Sequence, residues 1–288
     1  MKIINCQVIA DRLLNQFATT VEQLKAQTGI SPRLDVILVG ENPASKLYVN
    51  NKVKRCERVG IISRVHTFTE TVTTEQLIHH IHLLNHHADC HGLMVQLPLP
   101  DHIDSDRVID AIRWDKDVDG LTSTNQAGLL NHSPRYLTPC TPLAVMEILK
   151  EAVGDVTGKN VAVIGRSRLF GKPMALMLQN ANATVTMCHS RSDLTGPLKQ
   201  SEIVISAIGS PKFFKADQFA TNQTLIDVGI NRDEAGKVCG DFDAATFEAT
   251  DHQLTPVPGG VGVLTTTMLM SNTIKAYEWQ LKKRLAIC

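Results

Sequence analysis

Neither sign of charge predominates in this 288-residue chain: 29 Lys+Arg face 29 Asp+Glu, a formal net charge of zero with histidine neutral. No global positive field exists to gather nucleic acid or anionic lipid, so neither is expected as a partner. No uninterrupted apolar run approaches the ~18 residues that a membrane span needs. At the N-terminus, Asn5, Gln7 and Asp11 break the apolar core that a signal peptide requires. The seven cysteines (Cys6, Cys56, Cys90, Cys140, Cys188, Cys239 and Cys288) include no C-x-x-C pair and are odd in number. That argues against a disulfide framework or a zinc ribbon and predicts a reducing, cytoplasmic setting. Internal repeats and low-complexity tracts are also missing. What remains is ordinary for a folded protein, 43% hydrophobic and 20% charged. At ~100–200 residues per domain, the length predicts two domains.

Ile9, Leu13, Phe17, Val21 and Leu24 recur every three or four positions, which predicts an amphipathic helix ending near Gly29. The run LDVILV at 34–39 predicts a buried strand. A helix over 44–59, a strand over 61–68, a helix over 74–84 and a strand over 92–97 follow, the last closed by Pro98 and Pro100. Residues 115–139 are polar and aperiodic, a loop over a site or a linker. Thr141 reads as an N-cap with Pro142 at the first position of a helix reaching about 153. Strands over 161–164, 184–188, 203–208 and 224–228 alternate with helices, which implies right-handed crossovers and a parallel sheet. A long helix over about 265–285 closes the chain and is expected to return to the first domain.

VAVIGRSRLFGKP follows one of these strands and opens a helix. Gly165 allows a tight turn, Gly171 allows close backbone approach, and the helix start offers free N–H groups to a pyrophosphate. A Gly-rich strand-to-helix turn can also be merely structural. An NAD site needs an acid at the tip of the second strand, but this strand ends in Cys188-His189-Ser190-Arg191. Arg166, Ser190 and Arg191 instead suit a ribose 2′-phosphate, which a carboxylate would repel, so NADP is preferred to NAD. The alternative for Arg191 is a solvated surface residue.

Ser45, Tyr48 and Lys52 share one face of a predicted helix. The lysine can serve as acid or base beside a flat substrate, although spacing alone favours a solvated face with one boundary tyrosine. Gln96 near the end of GLMVQLPLP is either a polar group at a strand tip or a satisfied core residue. Ligands in open α/β sheets bind beyond the carboxyl ends of strands, which favours the tip. Asp115-Lys-Asp117-Val-Asp119-Gly120 imitates the start of an EF-hand loop, but position twelve is Gln126, which lacks the bidentate carboxylate. One of these aspartates can instead accept a ligand's paired N–H donors. The stiff turn Pro256-Val-Pro258-Gly259-Gly260-Val261-Gly262 either presses on a flat ligand or connects two elements. Six of 11 histidines fall between His79 and His91, mostly off the face that Leu77, Ile78, Ile81 and Leu84 define. They read as a solvated face, and no metal is expected.

In order along the chain, VGENPASKLYVNNKVKRCERVGI, GLMVQLPLP, DKDVDGL, PCTP, GRSRLFGKP and TPVPGGVG resemble the bifunctional methylenetetrahydrofolate dehydrogenase/cyclohydrolase family. The resemblance covers nearly the whole chain. It implies an α/β protein of two domains with a folate cleft between them: a parallel-sheet catalytic domain (residues 1–141 plus 264–288) and a Rossmann-type NADP-binding domain (142–263). It implies NADP-dependent oxidation of methylenetetrahydrofolate to the methenyl cation, then hydrolysis to the formyl derivative, by a homodimer. Lys52 would be the central catalytic lysine, Tyr48 would stack on the aminobenzoyl ring, Gln96 would hydrogen-bond the lysine, and Asp119 would bind the pterin edge. Ser45 and the turn Pro258, Gly259, Gly260, Val261 and Gly262 would flank the folate. Gly165, Arg166, Ser167, Gly171, Ser190, Arg191 and Ile230 would contact the dinucleotide. The residue types fit that chemistry. Hydride transfer needs two aligned rings rather than an acid or base. Hydration of a cation suits a lysine held neutral for part of the cycle.

The chain departs from the family pattern at Val263, where proline is usual, and at Ala144, where glycine is usual. Asn125-Gln-Ala-Gly128 is one residue longer than the common N-x-G, and Leu169-Phe170 replace Ile-Val in the phosphate turn. Rival readings are another NADP dehydrogenase acting on a small hydroxy acid, a dinucleotide sensor without catalysis, and a dehydrogenase lacking the cyclohydrolase.

Overall fold

The computed structural model describes residues 1–285. In chain order the elements begin β1 (Lys2–Ile3), α1 (Cys6–Thr28), β2 (Arg33–Val39), α2 (Pro43–Val59), β3 (Ile62–Phe68), α3 (Thr74–His86), β4 (Gly92–Val95), α4 (Ser105–Asp110) and α5 (Ser123–Leu130). They continue α6 (Cys140–Ala152), β5 (Asn160–Ile164), α7 (Gly171–Asn180), β6 (Thr184–Cys188), α8 (Thr195–Gln200), β7 (Ile203–Ser206), β8 (Thr224–Asp227), β9 (Asn231–Arg232), β10 (Val238–Cys239), β11 (Gln253–Leu254) and α9 (Val261–Leu285). The chain divides into two compact units, Met1–Asp11 with Thr141–Thr265, and Arg12–Cys140 with the residues from Thr266 on.

In the unit built on Arg12–Cys140, three parallel strands lie in the order β3-β2-β4. The central strand β2 is buried along its whole length, as expected of a parallel strand covered on both faces. Leu77, Ile81 and Leu84, at helical spacing on α3, pack with Ile37, Val39, Leu93 and Val95 in one core. Thr73 and Gln76 close a capping box at the start of α3. Its end is capped from a distance: the buried Lys116 amine donates to the carbonyls of Leu84 (3.1 Å) and His87 (3.0 Å). Most of the histidines are exposed as expected, with two corrections. His91 is buried, its Nδ1 accepting from the Arg33 N–H at 3.0 Å. His80 is partly buried against His66 (3.1 Å). Among the described residues no group of three or more His, Cys, Asp or Glu is placed to hold a metal ion.

The unit built on Thr141–Thr265 carries a six-stranded sheet in the order β1-β11-β8-β7-β5-β6, with parallel pairing throughout. Phe214, Phe219, Phe242 and Phe247 pack on it in mutual ring contact. The N-terminus departs from expectation. Residues 1–11 group with this sheet because β1 pairs with β11, through Lys2 N–H to His252 O (2.8 Å) and Ile4 N–H to Leu254 O (3.0 Å). Three boundaries also shift. α6 starts at Cys140, so Pro142 lies inside the first turn, where its missing N–H loses no bond. β4 stops at Val95. α9 starts at Val261 rather than near 265, and its residues from Thr266 on group with the other unit. Residues 115–139 are no plain linker: they hold α5, and Asp117 forms a bridge with Leu93.

Asp35 sits in the middle of β2 with no exposure, which is tolerable because donors meet both oxygens. Arg33 grips it twice (2.8 and 2.9 Å) and His66 Nε2 lies 2.8 Å away. Burial alone would raise its pKa, but the hydrogen bonds from His66 and Arg33, with the arginine's charge, bring it down from 3.8 to about 2. A depressed carboxyl stabilises the fold above its unfolded pKa and loses that contribution as pH falls through the folded one. Roughly 2 kcal/mol is therefore expected to disappear between about pH 4 and pH 2. Asp35→Asn strands a buried guanidinium and should cost about 3–5 kcal/mol at neutral pH. Thermal melts across pH check this: the gap between variant and wild type narrows below pH 4, and a constant gap refutes the assignment.

Candidate active site

The helix α2 is started by Asn42, whose side chain accepts from the N–H groups of Ala44 (2.9 Å) and Ser45 (3.2 Å), and it is stopped by Gly60 in the left-handed conformation (φ 78°). Its buried residues are Ser45, Val49, Cys56 and Val59. Lys52 falls on that same stripe, at the step between Val49 and Cys56. A lysine at such a position needs a partner. It has one: Nζ donates to Gln96 Oε1 at 2.9 Å. Gln96 is itself fixed just beyond β4, with its N–H on Ile37 O (2.9 Å), its Nε2 on Leu97 O (2.6 Å) and only 7% exposure. Both readings of Gln96 thus hold in part, since it is a strand-tip residue and also a satisfied buried one. Tyr48, one turn before Lys52, is 44% exposed and presents its ring to solvent.

The three aspartates of DKDVDG separate by burial. Asp115 pairs with Arg113 and is buried. Asp117 is also buried, accepts from Thr122 N–H and Asn125 Nδ2 (both 2.8 Å), and has its pKa raised by burial. Only Asp119 is partly exposed. Its loop is pinned from α9, where Asn272 Nδ2 donates to Val118 O and Thr138 O (both 2.8 Å). Gly120 (φ 69°) passes so close to Thr138 that a Cβ would come within 2.5 Å of its carbonyl carbon. Beneath lies Cys140, whose thiol donates to Val118 O at 3.2 Å. Burial pushes that thiol well above its ordinary pKa; the Asp119 charge adds to the rise and the Lys52 charge opposes it. The Lys52–Gln96 pair and Asp119 both lie within electrostatic reach of the buried Cys140. Cys140 and Asn272 were not singled out from sequence; the hint available was PCTP following the aspartate loop.

In the other unit, the turn after β5 lies beside the turn after β6, with Gly165 N–H donating to Cys188 O at 2.9 Å. Gly165 has φ 128°, and a Cβ there would come within 2.9 Å of Ala207 O. A Cβ on Gly171 would fall on the Gly165 carbonyl. Ser167 Oγ accepts from the N–H groups of Phe170 (3.2 Å) and Gly171 (3.4 Å), which shapes the turn from inside. Phe170 is buried and Leu169 exposed, so the departure from Ile-Val is absorbed by the core on one side only. The start of α7 does not offer the free N–H groups expected of it: Gly171 N–H is taken by Ser167 Oγ, Lys172 N–H by Ser167 O (3.1 Å), and Pro173 has none. Arg166, Ser190 and Arg191 are exposed on the two adjacent turns, with no acid among them. The next carboxylate along the chain, Asp193, accepts from Thr195 N–H (2.9 Å). This cradle and donor set fit a dinucleotide with a 2′-phosphate.

Ile230 is 58% exposed on the loop after β8. Pro258 and Gly259 are exposed, Gly260 is too crowded by Pro256 O for a Cβ, and Val261 and Gly262 form the first turn of α9. These residues belong to the sheet unit with Gly165 and Ile230, while Ser45, Tyr48, Lys52, Gln96 and Asp119 belong to the other. A Cβ on Gly262 would stand 3.6 Å from Ile230 Cδ1, which places the proline–glycine turn and the β8 loop side by side.

Two family models match the chain: the tetrahydrofolate dehydrogenase/cyclohydrolase catalytic domain over residues 4–119, and the NAD(P)-binding domain of the same family over 139–281. The bifunctional protein FolD of Dechloromonas aromatica is 46% identical over 278 residues, 96% of this chain and 97% of that one. The bifunctional FolD dehydrogenase/cyclohydrolase of Campylobacter jejuni superposes with a TM-score of 0.93 at 40% identity, covering 96% of this chain and 99% of that one. The Trypanosoma brucei methylenetetrahydrofolate dehydrogenase-cyclohydrolase, complexed with NADP cofactor and an inhibitor, superposes with a TM-score of 0.91 at 32% identity over 97% and 98% of the two chains.

The crowding at Gly171 has a direct test. Gly171→Ala should lower stability by about 1–3 kcal/mol, because backbone must move to admit the methyl group. Gly196→Ala is the control: a Cβ at Gly196, inside α8, meets nothing within 4 Å. It should be neutral or stabilising by up to about 1 kcal/mol. Equal melting shifts for the two variants would contradict the tight turn.

Proposed function

The chain belongs to the tetrahydrofolate dehydrogenase/cyclohydrolase family, and from that premise we propose which of its residues carry the chemistry. It oxidises methylenetetrahydrofolate to the methenyl cation with NADP and hydrolyses that cation to formyltetrahydrofolate. The observation that carries the assignment is the 2.9 Å bond from the Lys52 amine to Gln96 Oε1, on the buried stripe of α2 where Lys52 is the one charged residue. NADP, when bound, accepts the hydride. Alignment of the two rings, rather than an acid or base, is what that step asks of the protein.

Lys52 is the group that takes a proton from water as water adds to the methenyl carbon; ring opening then leaves the formyl group on nitrogen. Gln96 holds the amine in place through Oε1 and cannot swivel, because its Nε2 is tied to Leu97 O. Tyr48 offers an exposed ring for the aminobenzoyl group. Asp119, the partly exposed member of its trio, suits the pterin's amino and ring N–H donors, since a carboxylate accepts two parallel bonds. Ser45 and the turn 258–262 are assigned to the folate site on the family resemblance. Gly165, Ser167 and Gly171 shape the pyrophosphate turn, Arg166, Ser190 and Arg191 take the 2′-phosphate, and Ile230 contacts the dinucleotide. The working form we propose is a cytoplasmic homodimer. The buried free thiols of Cys6, Cys56, Cys90, Cys140, Cys188 and Cys239 support the reducing compartment, and the dimer rests on the family resemblance.

Two measurements test these roles. Lys52→Met should slow hydrolysis of methenyltetrahydrofolate at least about 100-fold, followed by loss of its absorbance above the buffer rate; a wild-type rate would remove Lys52 from the mechanism. Arg166→Ala and Arg191→Ala should each raise KM for NADP about tenfold while moving KM for NAD far less. Equal losses for both cofactors would refute the 2′-phosphate assignment.

A further inference from the structure

The carboxyl ends of β7 and β8 carry two loops, residues 207–210 and 228–231. Beyond the last ladder bond, Val228 N–H to Ser206 O (2.9 Å), one side chain joins them. Asp241 has no exposure at all, and four donors converge on its carboxylate. Oδ2 accepts from Ser206 Oγ (2.7 Å) and Ile208 N–H (2.9 Å). Oδ1 accepts from Ser210 N–H (3.1 Å) and Asn231 Nδ2 (2.9 Å). Three of these donors belong to the β7 end and one to the β8 end. The β8 loop is pressed against the carboxylate so closely that a Cβ on Gly229 would fall on it. Asp241 is in turn held by a second buried carboxylate, its own N–H donating to Asp227 Oδ1 at 3.0 Å. Gly240 likewise has no room for a Cβ beside Asp227.

The sheet order gives this knot its meaning. β5 lies between β6 and β7, so the chain runs to one side of β5 and later returns to the other. A dinucleotide spans the crevice where strand order reverses, one nucleotide on each side. Arg166, Ser190 and Arg191 lie on the β5 and β6 turns and claim the adenosine half. The nicotinamide half then falls to the β7 and β8 loops, and Ile230 stands exposed between Gly229 and Asn231. We propose that Asp241, which cannot touch the cofactor itself, is the positioning residue that sets these two loops for the nicotinamide half. The inference rests on reading Ile230 as a cofactor contact. A carboxylate is required because both oxygens accept from two donors; an amide would turn its own N–H groups toward two of them.

The test measures binding rather than turnover. Calorimetry gives the dissociation constants of NADP and of adenosine 2′,5′-bisphosphate, the fragment that keeps the adenosine half and its 2′-phosphate. In Asp241→Asn, NADP binding should weaken at least about tenfold while the fragment stays within about twofold. Asn231→Ala, which removes one donor of four, should shift NADP about threefold in the same direction. If Asp241→Asn does not fold, Asn231→Ala and Ser206→Ala carry the same comparison. Equal weakening of NADP and fragment, or unchanged NADP binding in folded variants, overturns the inference. A wild-type protein that binds the fragment but gains nothing from the nicotinamide half would instead overturn the reading of Ile230.

Discussion

A carboxylate taken out of water costs several kcal/mol unless hydrogen-bond donors meet its oxygens, and this chain places its working loops by that constraint. Asp35, Asp115, Asp117, Asp227 and Asp241 are all at most 3% exposed. Asp35 lies within β2 and is met by side chains alone, whereas the other four sit in or just beside a turn or strand end whose backbone N–H groups or neighbouring side chains point at them. Asp117 draws in Thr122 and Asn125 and so folds the loop that carries Asp119. Asp227 collects the N–H groups of Gly229, Asp241 and Phe242 (each 3.0 Å). Burial lifts the pKa of Asp227 to about 7, with the Asp241 charge adding to the rise against those three backbone bonds. Breaking any one of these sets leaves a buried charge or buried donors unpaired, so the loops have few alternative shapes.

Much of the architecture was legible because a parallel sheet writes itself as apolar runs. LDVILV and VAVI sit where β2 and β5 lie, and the alternation of strands with helices was enough for two α/β units. What failed had no local signal. The two-residue strand β1 owes its existence to a partner some 250 residues away in sequence, so nothing in MKIINC could reveal it. α5 has no apolar period, and Asn125, buried within it, bonds to Trp114 O (2.9 Å), Asp117 and Leu137 N–H (2.9 Å). Tertiary hydrogen bonds hold that segment in place rather than a hydrophobic face.

The candidate site was half legible for a related reason. Glycines announce a crowded turn, and Gly165, Gly171 and Gly260 all prove to lie where a Cβ meets backbone. The spacing Ser45, Tyr48, Lys52 reads as a solvated face with one boundary tyrosine. The better signal was the spacing Ser45, Val49, Lys52, Cys56, Val59, a buried stripe with one amine in it. Asp241 gave no signal, because GDFD reads as an ordinary polar turn until the donors around it are seen.

The contrast between Lys52, the amine proposed to work, and Lys116 is one of location. Lys116 is 2% exposed and spends two of its three N–H bonds on the carbonyls that end α3. Burial lowers its pKa, yet both acceptors favour the charged form, and nothing remains exposed to meet a substrate. Lys52 is only partly buried and has a neutral amide oxygen as its acceptor. A carboxylate in place of Gln96 would hold a full ion pair and oppose release of the proton. An amide orients the amine without adding a charge of its own, which is what the proton-transfer role proposed for Lys52 would require.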